Sequence, residues 1–191
     1  MKLKIVHKSY SYVPQTKKEL KNIIRERLDQ DPNADLNDIN VSNITDMSYL
    51  FRELDPHNID ISKWDVSNVK NMDGMFFRRK NFNADLSRWD VSNVENMEAI
   101  FYNCENFNSD LSRWDVSNVE NMGFMFYECI NFNSNLSSWD VSNVSDMYAM
   151  FSICVNFNSD LNRWDVSKIH DMRFMFNGCD SMKELPTWYK S

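Results

Sequence analysis

A segment of 25 residues recurs six times along this chain of 191 residues. Tryptophan marks the repeat at positions 64, 89, 114, 139 and 164, a sixth tryptophan at 188 ends the series, and Ile39 takes the equivalent place in the first copy. A fixed period of this length is typical of a solenoid, in which each repeat buries its apolar face only against its neighbours. We therefore expect most of the chain to be scaffold, and we look for function where the repeats differ.

The repeats predict one elongated domain in three parts. Residues 1–38 form a non-repeating cap, residues 39–188 form the six-repeat solenoid, and residues 189–191 form a C-terminal tail. In the cap, Thr16 and Glu19 match a capping box ahead of apolar residues at 20, 23, 24 and 28, which predicts an amphipathic helix. This helix would cover the apolar side of the first coil, although a targeting or partner-binding helix is an alternative. A short strand is expected at residues 4–6.

Each repeat is predicted to hold one strand and one short helix. Residues 111–116 alternate in polarity, as a strand does. Ser92-Asn93 are good N-cap residues for a helix over the apolar positions 94, 97, 100 and 101. The expected fold class is α/β, a leucine-rich-repeat-like solenoid of six strand–helix coils with a parallel sheet and an N-terminal helical cap. Pro186 in the last copy predicts a terminal edge strand that is closed to further stacking.

The repeat motif is Trp-Asp-Val-Ser-Asn-Val-x-x-Met-x-x-Met-Phe, followed by Phe-Asn-x-Asp-Leu-Ser, and it recurs within residues 39–188. It resembles the repeat of the BspA-like bacterial surface proteins, which is common in mycoplasma-type lipoproteins. The resemblance implies a leucine-rich-repeat-like solenoid at the cell surface, with a role in adhesion or partner binding and no enzymatic activity. The first eight residues contain no apolar signal segment, so either the protein is cytoplasmic or a signal was removed, and the localisation stays open.

Charge and composition restrict the partner classes. The formal net charge of -7 disfavours nucleic acid and anionic membranes, and no apolar span is long enough for membrane insertion. No Ser/His/Asp or Cys/His set and no glycine-rich phosphate loop stands out, so we expect a protein that is not an enzyme and has no cofactor. A protein partner of unknown identity is the expectation, and the oligomeric state stays open.

Three rows of polar residues recur with the repeat. Cys104, Cys129, Cys154 and Cys179 share one position, which favours buried thiols over disulfides between neighbours or a metal site. The aspartates at 65, 90, 115, 140 and 165 are expected to cap turns or pair within the row, with a calcium site as the alternative. The asparagines at 83, 108, 133 and 158 are expected to bind backbone groups of the next coil.

The positions that vary between repeats become apolar in the middle and late copies. These candidates for partner binding are Phe124, Tyr127, Ile130, Tyr148, Ile153 and Val155. The alternative is that they fill gaps between coils. Two other functions stay open: a structural protein that self-associates end to end, and a carbohydrate-binding module that stacks sugars on the tryptophans.

Overall fold

The computed structural model describes residues 9–54 and 58–190, and the strand predicted at residues 4–6 lies outside this range. One α-helix, α1, spans Lys17–Gln30. The rest of the described chain consists of turns and isolated parallel β-bridges, with no strand of two or more paired residues. Within these residues no helix has the length and apolar character needed to cross a bilayer.

Helix α1 begins where the capping box predicts. The Thr16 hydroxyl accepts a hydrogen bond from the Glu19 amide at 3.2 Å, and the Gln15 amide donates to the Glu19 carboxylate at 2.7 Å. The first bond satisfies an amide that the first helical turn leaves unpaired, and the second ties the residue before the N-cap to the helix. The buried residues of the helix are Leu20, Ile24 and Leu28, which join the core beside the first repeat. Lys17 fixes the helix there, since its Nζ lies 2.6 Å from Asp46 Oδ2.

The predicted strand–helix coil with its parallel sheet is wrong. In residues 97–104, the amides of Ile100, Tyr102 and Cys104 donate to carbonyls three residues earlier, at 3.3, 3.0 and 2.9 Å. The amides that alternate with these form their hydrogen bonds outside the repeat. Those of Met97 and Phe101 donate to carbonyls of the next repeat, both at 3.0 Å. An α-helix needs bonds between residues four apart. The segment is therefore a run of turns, and every second amide joins it to its neighbour.

Left-handed residues make this alternation possible. Ala99 has a φ of 48° and Asn103 a φ of 54°, and later repeats keep the same two positions left-handed. Such a conformation costs roughly 1–2 kcal/mol for a residue with a side chain. The backbone hydrogen bonds to the next repeat, each worth about 1 kcal/mol net, offset part of that cost. The helix predicted after Ser92-Asn93 is absent for this reason.

The strand predicted at residues 111–116 is also replaced by turns. The Trp114 amide donates to the Leu111 carbonyl at 3.1 Å, and the Val119 amide donates to the Val116 carbonyl at 2.9 Å. Parallel bridges instead join one residue of each repeat to the next, at positions 46, 71, 96, 121, 146 and 171. Pro186 lies in a turn closed by the Tyr189 amide at 2.9 Å, rather than in a terminal strand.

The core lies between stacked repeats. The Phe101 ring lies between Phe76 and Phe126, with centroid distances of 5.7 and 5.6 Å. Trp114 is buried, and all four cysteines are free and buried, as the sequence predicts. The Sγ of Cys129 donates to the Phe101 carbonyl at 3.0 Å. The four buried thiols all donate in this way to a backbone carbonyl 28 residues earlier, in the preceding repeat.

The aspartate and asparagine rows stabilise turns and contacts between repeats. Asp115 Oδ1 accepts from the Ser117 amide at 3.1 Å, which confirms the turn-capping interpretation. The Asn108 amide donates to Asn83 Oδ1 of the preceding repeat at 2.9 Å, as predicted for the asparagine row. Interleaved turns and side-chain bonds, rather than helices and a sheet, hold the repeats in register. The division of the chain at residues 38/39 and 188/189 stays a prediction.

Candidate partner-binding surface

The six candidate residues lie at the surface in two groups. All six are half-buried, so they pack between repeats and also keep solvent-accessible edges. Phe124 lies at the centre of the first group, with its ring centroid 5.9 Å from Tyr127 and 5.0 Å from Tyr148. The structure therefore brings together the three aromatic candidates, which come from two adjacent repeats.

The aliphatic candidates occupy other positions of the repeat. Ile130 and Val155 stand where Lys80 and Glu105 stand in earlier repeats, and those two side chains pair at 2.6 Å. Ile153 has a left-handed backbone with a φ of 63°. An ion pair between neighbouring repeats is thus replaced by apolar side chains in the later copies.

Phe124, Tyr127 and Tyr148 belong to a longer line of half-exposed rings, which we call the aromatic row. Neighbouring rings contact one another from the first repeat to the last, with centroid distances between 4.7 and 6.2 Å. Its members are Tyr49, Phe77, Tyr102, Phe124, Tyr127, Tyr148 and Phe174. The last of them, Phe174, is 55% exposed.

Sequence reasoning did not single out four members of the row. Tyr49 and Phe174 share the repeat position of Phe124, and Phe77 and Tyr102 share that of Tyr127. Phe77, Tyr102 and Phe174 lie in the same variable series as the candidates, but the prediction selected an apolar set in the middle repeats and left them out. The first copy has no tryptophan to mark its register, and this obscured Tyr49.

The repeat position of Phe124 holds either an aromatic ring or a small residue. Gly74 follows Tyr49 in this series, and a Cβ at Gly74 would lie 2.3 Å from Tyr49 Cε1. The Tyr49 ring therefore lies directly over the backbone of the next repeat. Ala149 holds the same position after Phe124. A small residue next to a ring lets the ring lie flat and half-buried, which fixes its orientation.

Carboxylates flank the first half of the row. Burial raises the pKa of Asp73, and the neighbouring Asp46 adds to the effect. Burial also raises the pKa of Glu98, as does Asp73, while Asn121 Nδ2 donates to Glu98 Oε2 at 3.0 Å. These groups give the surface beside the rings a negative potential. Among the described residues, no group of three or more His, Cys, Asp or Glu side chains is placed to hold a metal ion.

The row ends at a broad concavity of about 720 Å³ on the last repeat. Phe174, Phe176, Leu185 and Tyr189 contribute apolar surface, and Arg173, which also lines the concavity, forms a salt bridge with Asp171 at 2.5 Å. Leu185 is 46% exposed. Exposed large apolar side chains of this kind often mark interaction sites. This concavity was not predicted from the sequence, because Pro186 indicated a terminal strand that closes this end.

Comparison with known families agrees with the repeat architecture. A family model described as a Mycoplasma protein of unknown function, DUF285, matches residues 18–129 and 109–191. The chain belongs to this family. Membership of DUF285 confirms the prediction of a bacterial repeat protein of mycoplasma type, while the narrower BspA-like relationship stays a proposal. No curated protein and no solved structure matched the DUF285 chain in the other two comparisons.

Proposed function

We propose that this DUF285 protein is a non-catalytic module that binds a protein partner through the aromatic row. The observation that carries the proposal is that the row stays at the surface across the repeats while the Phe76 and Trp114 rows are buried. Aromatic side chains at an interface often supply most of the binding free energy. Rings already fixed by their neighbours lose little conformational entropy on binding.

The geometry of the rings favours a protein partner over a sugar. Tyr102 stacks on Phe77 and on Tyr127, each at 4.7 Å between centroids and with interplanar angles of 21° and 11°. Phe77, Tyr102 and Tyr127 therefore cover one another's faces, whereas Phe124 meets Tyr127 and Tyr148 edge to face. A sugar stacks on an exposed face, whereas protein side chains pack well against aromatic edges. The tryptophans, 4% exposed in the five full internal copies, also lack an accessible face.

Self-association by end-to-end stacking is the alternative function, and helix α1 opposes it. Lys17 Nζ donates to the Ser48 carbonyl at 3.2 Å, and the salt bridge between Lys21 and Glu53 is 2.9 Å long. These contacts cover the end of the stack that a second copy would need to meet. Head-to-tail stacking would first require α1 to detach with its three buried residues.

We further propose a BspA-like role at the cell surface, in adhesion or recognition of a partner protein. The support is the repeat motif together with membership of a mycoplasma family. The net charge of -7 and the carboxylates beside the row favour a partner with a basic rim. Such an association would weaken as ionic strength rises.

The proposal is tested with substitutions that the repeats themselves supply. Phe124→Ala and Tyr127→Ser introduce the residues that the next repeat carries at the same positions, Ala149 and Ser152. The combined variant should keep its fold and lose partner binding by about 30-fold or more, as expected when a hot spot of about 2 kcal/mol is removed. The partner is first isolated by co-purification from the native cells, and binding is then measured by calorimetry.

A matched control variant changes two exposed side chains away from the row, Arg113→Ser and Arg163→Ser. It should bind the partner as the unmodified protein does. Equal affinity of the Phe124/Tyr127 variant and the control would contradict the proposal. Thermal unfolding first shows that the Phe124/Tyr127 variant is folded, so that loss of binding is not confused with loss of structure.

A further inference from the structure

Three rings of the aromatic row form a continuous stack, which we call the ring stack. Phe77, Tyr102 and Tyr127 hold the same position in successive repeats, and neighbouring centroids are 4.7 Å apart. Phe124 lies beside this stack rather than beyond its end, because its centroid is almost equally far from Tyr102 and Tyr127, at 6.1 and 5.9 Å. The two ends of the ring stack are therefore Phe77 and Tyr127, and they differ.

A cation covers the first end of the ring stack. The guanidinium of Arg78 lies over the Phe77 ring, 5.2 Å from its centroid. Since Tyr102 occupies one face of Phe77 at close range, Arg78 takes the face that Tyr102 leaves open. Arg52 lies in the same way over Tyr49, at 5.3 Å. The negative face of an aromatic ring attracts a cation, and this chain uses its own arginines to cover rings of the row.

The second end of the ring stack, at Tyr127, has no such cover. The next repeat carries Ser152 where a fourth ring would stand, and among the described residues no cation lies over the Tyr127 ring. A serine side chain ends at its hydroxyl, well short of the outer half of a tyrosine ring. The outer part of the Tyr127 face is therefore open, and a planar group laid on it would extend the stack above Ser152.

A carboxylate lies next to this open face. Burial raises the pKa of the Tyr127 hydroxyl, and the charge of the neighbouring Glu128 adds to the shift. Glu128 Oε2 accepts from Asn103 Nδ2 at 2.7 Å, and within residues 9–54 and 58–190 the carboxylate forms no salt bridge. The nearby Lys80 pairs with Glu105 instead, at 2.6 Å. This end of the stack thus combines an aromatic face with a negative charge that has no cation of its own.

One arginine of the chain already makes both kinds of contact at once. The guanidinium of Arg173 lies over the Tyr148 ring, 5.5 Å from its centroid. Its Nε and Nη2 donate to the Asp171 carboxylate at 3.0 and 2.5 Å. A single guanidinium can therefore pair with a carboxylate and cover a ring of the aromatic row in this fold.

We propose that the Tyr127 end of the ring stack binds an arginine side chain of the partner protein. The proposal rests on the proposed function, because it names the chemical group that the aromatic row recognises. A guanidinium is planar, stacks on aromatic faces and pairs with carboxylates, so it lies on Tyr127 above Ser152 and donates to Glu128. A lysine ammonium pairs with the carboxylate but does not extend the stack. A sugar or an apolar side chain leaves Glu128 without a cation.

The probe is a blocked peptide with the sequence Ser-Gly-Arg-Gly-Ser. Its control carries citrulline in place of arginine, which keeps the planar side chain without the charge. In amide NMR spectra of the whole protein, the arginine peptide should shift the signals of Tyr127, Glu128 and Ser152 with a Kd of roughly 1 mM, and the citrulline peptide should bind at least about tenfold more weakly. Equal binding of the two peptides, shifts spread evenly over the acidic surface, or no shift at about 10 mM arginine peptide would overturn the proposal.

Two variants test the geometry of the site. Glu128→Gln keeps an oxygen that accepts from Asn103, but it should weaken arginine-peptide binding by about tenfold, because the charge is lost. Ser152→Tyr adds the ring that Tyr127 supplies one repeat earlier, so it should extend the stack and abolish the peptide-induced shift of the Tyr127 signal. Unchanged peptide binding in either folded variant would contradict the proposal.

Glu120→Gln is the matched control for the change in charge. Glu120 is exposed and lines a polar groove with Asn118 and Asn143, away from the aromatic row. This variant should bind the arginine peptide as the unmodified protein does. A loss equal to that of Glu128→Gln would show that only the net charge matters, and would overturn the site.

Binding of the isolated partner separates this proposal from the proposed function. Loss of partner binding in both Phe124→Ala/Tyr127→Ser and Glu128→Gln supports the two together. Loss in the Phe124/Tyr127 variant alone overturns the arginine site and leaves the aromatic row as the partner site. Equal partner binding by the Phe124/Tyr127 variant and the unmodified protein contradicts the proposed function, and the arginine site fails with it.

Discussion

The indole Nε1 of Trp114 donates to the carbonyl of Leu86 in the preceding repeat, at 3.0 Å. Trp64, Trp89, Trp139 and Trp164 make the same bond to the residue 28 positions earlier, at 2.9–3.0 Å. One side chain therefore fills the space between repeats and satisfies a buried carbonyl at the same time. This double role explains why the position holds tryptophan in all internal copies rather than another large apolar residue.

Trp114→Ala should lower the free energy of unfolding by about 3–5 kcal/mol, because it leaves a large cavity between two repeats. The loss of the Nε1 donor adds to the effect by leaving the Leu86 carbonyl unsatisfied. Denaturant unfolding followed by circular dichroism measures the change. Trp188→Ala is the control: that residue is half-buried and stacks on Trp164 from one side only, so its loss should cost clearly less. Equal costs at both positions would contradict this interpretation.

The recurring side chains could be predicted from the sequence, since their period is visible in the chain itself. Burial of Cys104 and Trp114 follows from shared register, and the turn-capping role of Asp115 follows from its spacing to Ser117. The path of the backbone could not be predicted in this way. Met97, Ile100 and Phe101 are spaced as on a helix face, but turns that repeat every three residues give nearly the same spacing.

The left-handed conformation of Ala99 is the element that the sequence hides. Alanine is the best helix former, so a helix was the natural prediction for this segment. Its φ of 48° is stabilised by bonds to a repeat 25 residues away, which a local pattern does not contain. The aromatic candidates Phe124, Tyr127 and Tyr148 were brought together by the fold, because their contacts join neighbouring repeats.

The cysteines should resist alkylation at pH 8 until the protein unfolds. Burial raises the pKa of all four thiols, that of Cys179 to about 12, and the thiolate is the reactive form. Cys179 should react first, since it is 7% exposed and lies in the last repeat, while Cys104 is fully buried. Mass spectrometry of peptides after timed alkylation gives the order. Loss of about two hydrogens from the intact mass of the native protein would reveal a disulfide and contradict the assignment.

Acid should destabilise the turns that aspartates cap. Hydrogen bonds from Ser112 lower the pKa of Asp110, and the same kind of bond lowers the pKa of Asp90 and Asp140. A carboxylate whose pKa is lower in the folded state stabilises the fold above its unfolded pKa of roughly 4, and this contribution is lost as pH falls through the folded pKa. Stability should therefore fall steadily between about pH 4 and pH 2.

Asp110→Asn is the variant that isolates one of these caps. Asn135 holds the equivalent position in the next repeat, and its Oδ1 accepts from the Ser137 amide at 3.0 Å, so the amide keeps the turn. The variant should fold as before. Its free energy of unfolding should fall less steeply as pH is lowered, because an asparagine side chain does not titrate. Urea unfolding between pH 2 and pH 7 measures the slope. An unchanged slope would show that Asp110 does not titrate in this range.

The charged carboxylate of Asp73 should destabilise the fold, in contrast to the aspartates that cap turns. Burial and the nearby Asp46 raise its pKa, and its Oδ1 is buried without a hydrogen-bond partner among the described residues. A carboxylate whose folded pKa is raised opposes folding when it is charged, so its cost is present at pH 7 and disappears as pH falls below its unfolded pKa. Asp73→Asn should therefore raise the melting temperature at pH 7 by about 2 °C and have no effect near pH 3.

The comparison of Asp73→Asn with Glu98→Gln tests whether the two carboxylates interact. Asp73 contributes to the raised pKa of Glu98, so removal of either charge should relieve part of the cost of the other. The double variant should then gain less stability at pH 7 than the sum of the single variants. Thermal unfolding of the four proteins at pH 7 and pH 3 completes the cycle. A loss of stability in Asp73→Asn at pH 7 would mean that the hydrogen bond between Tyr49 and the Asp73 carboxylate outweighs the repulsion, and additive gains would mean that the two carboxylates act independently.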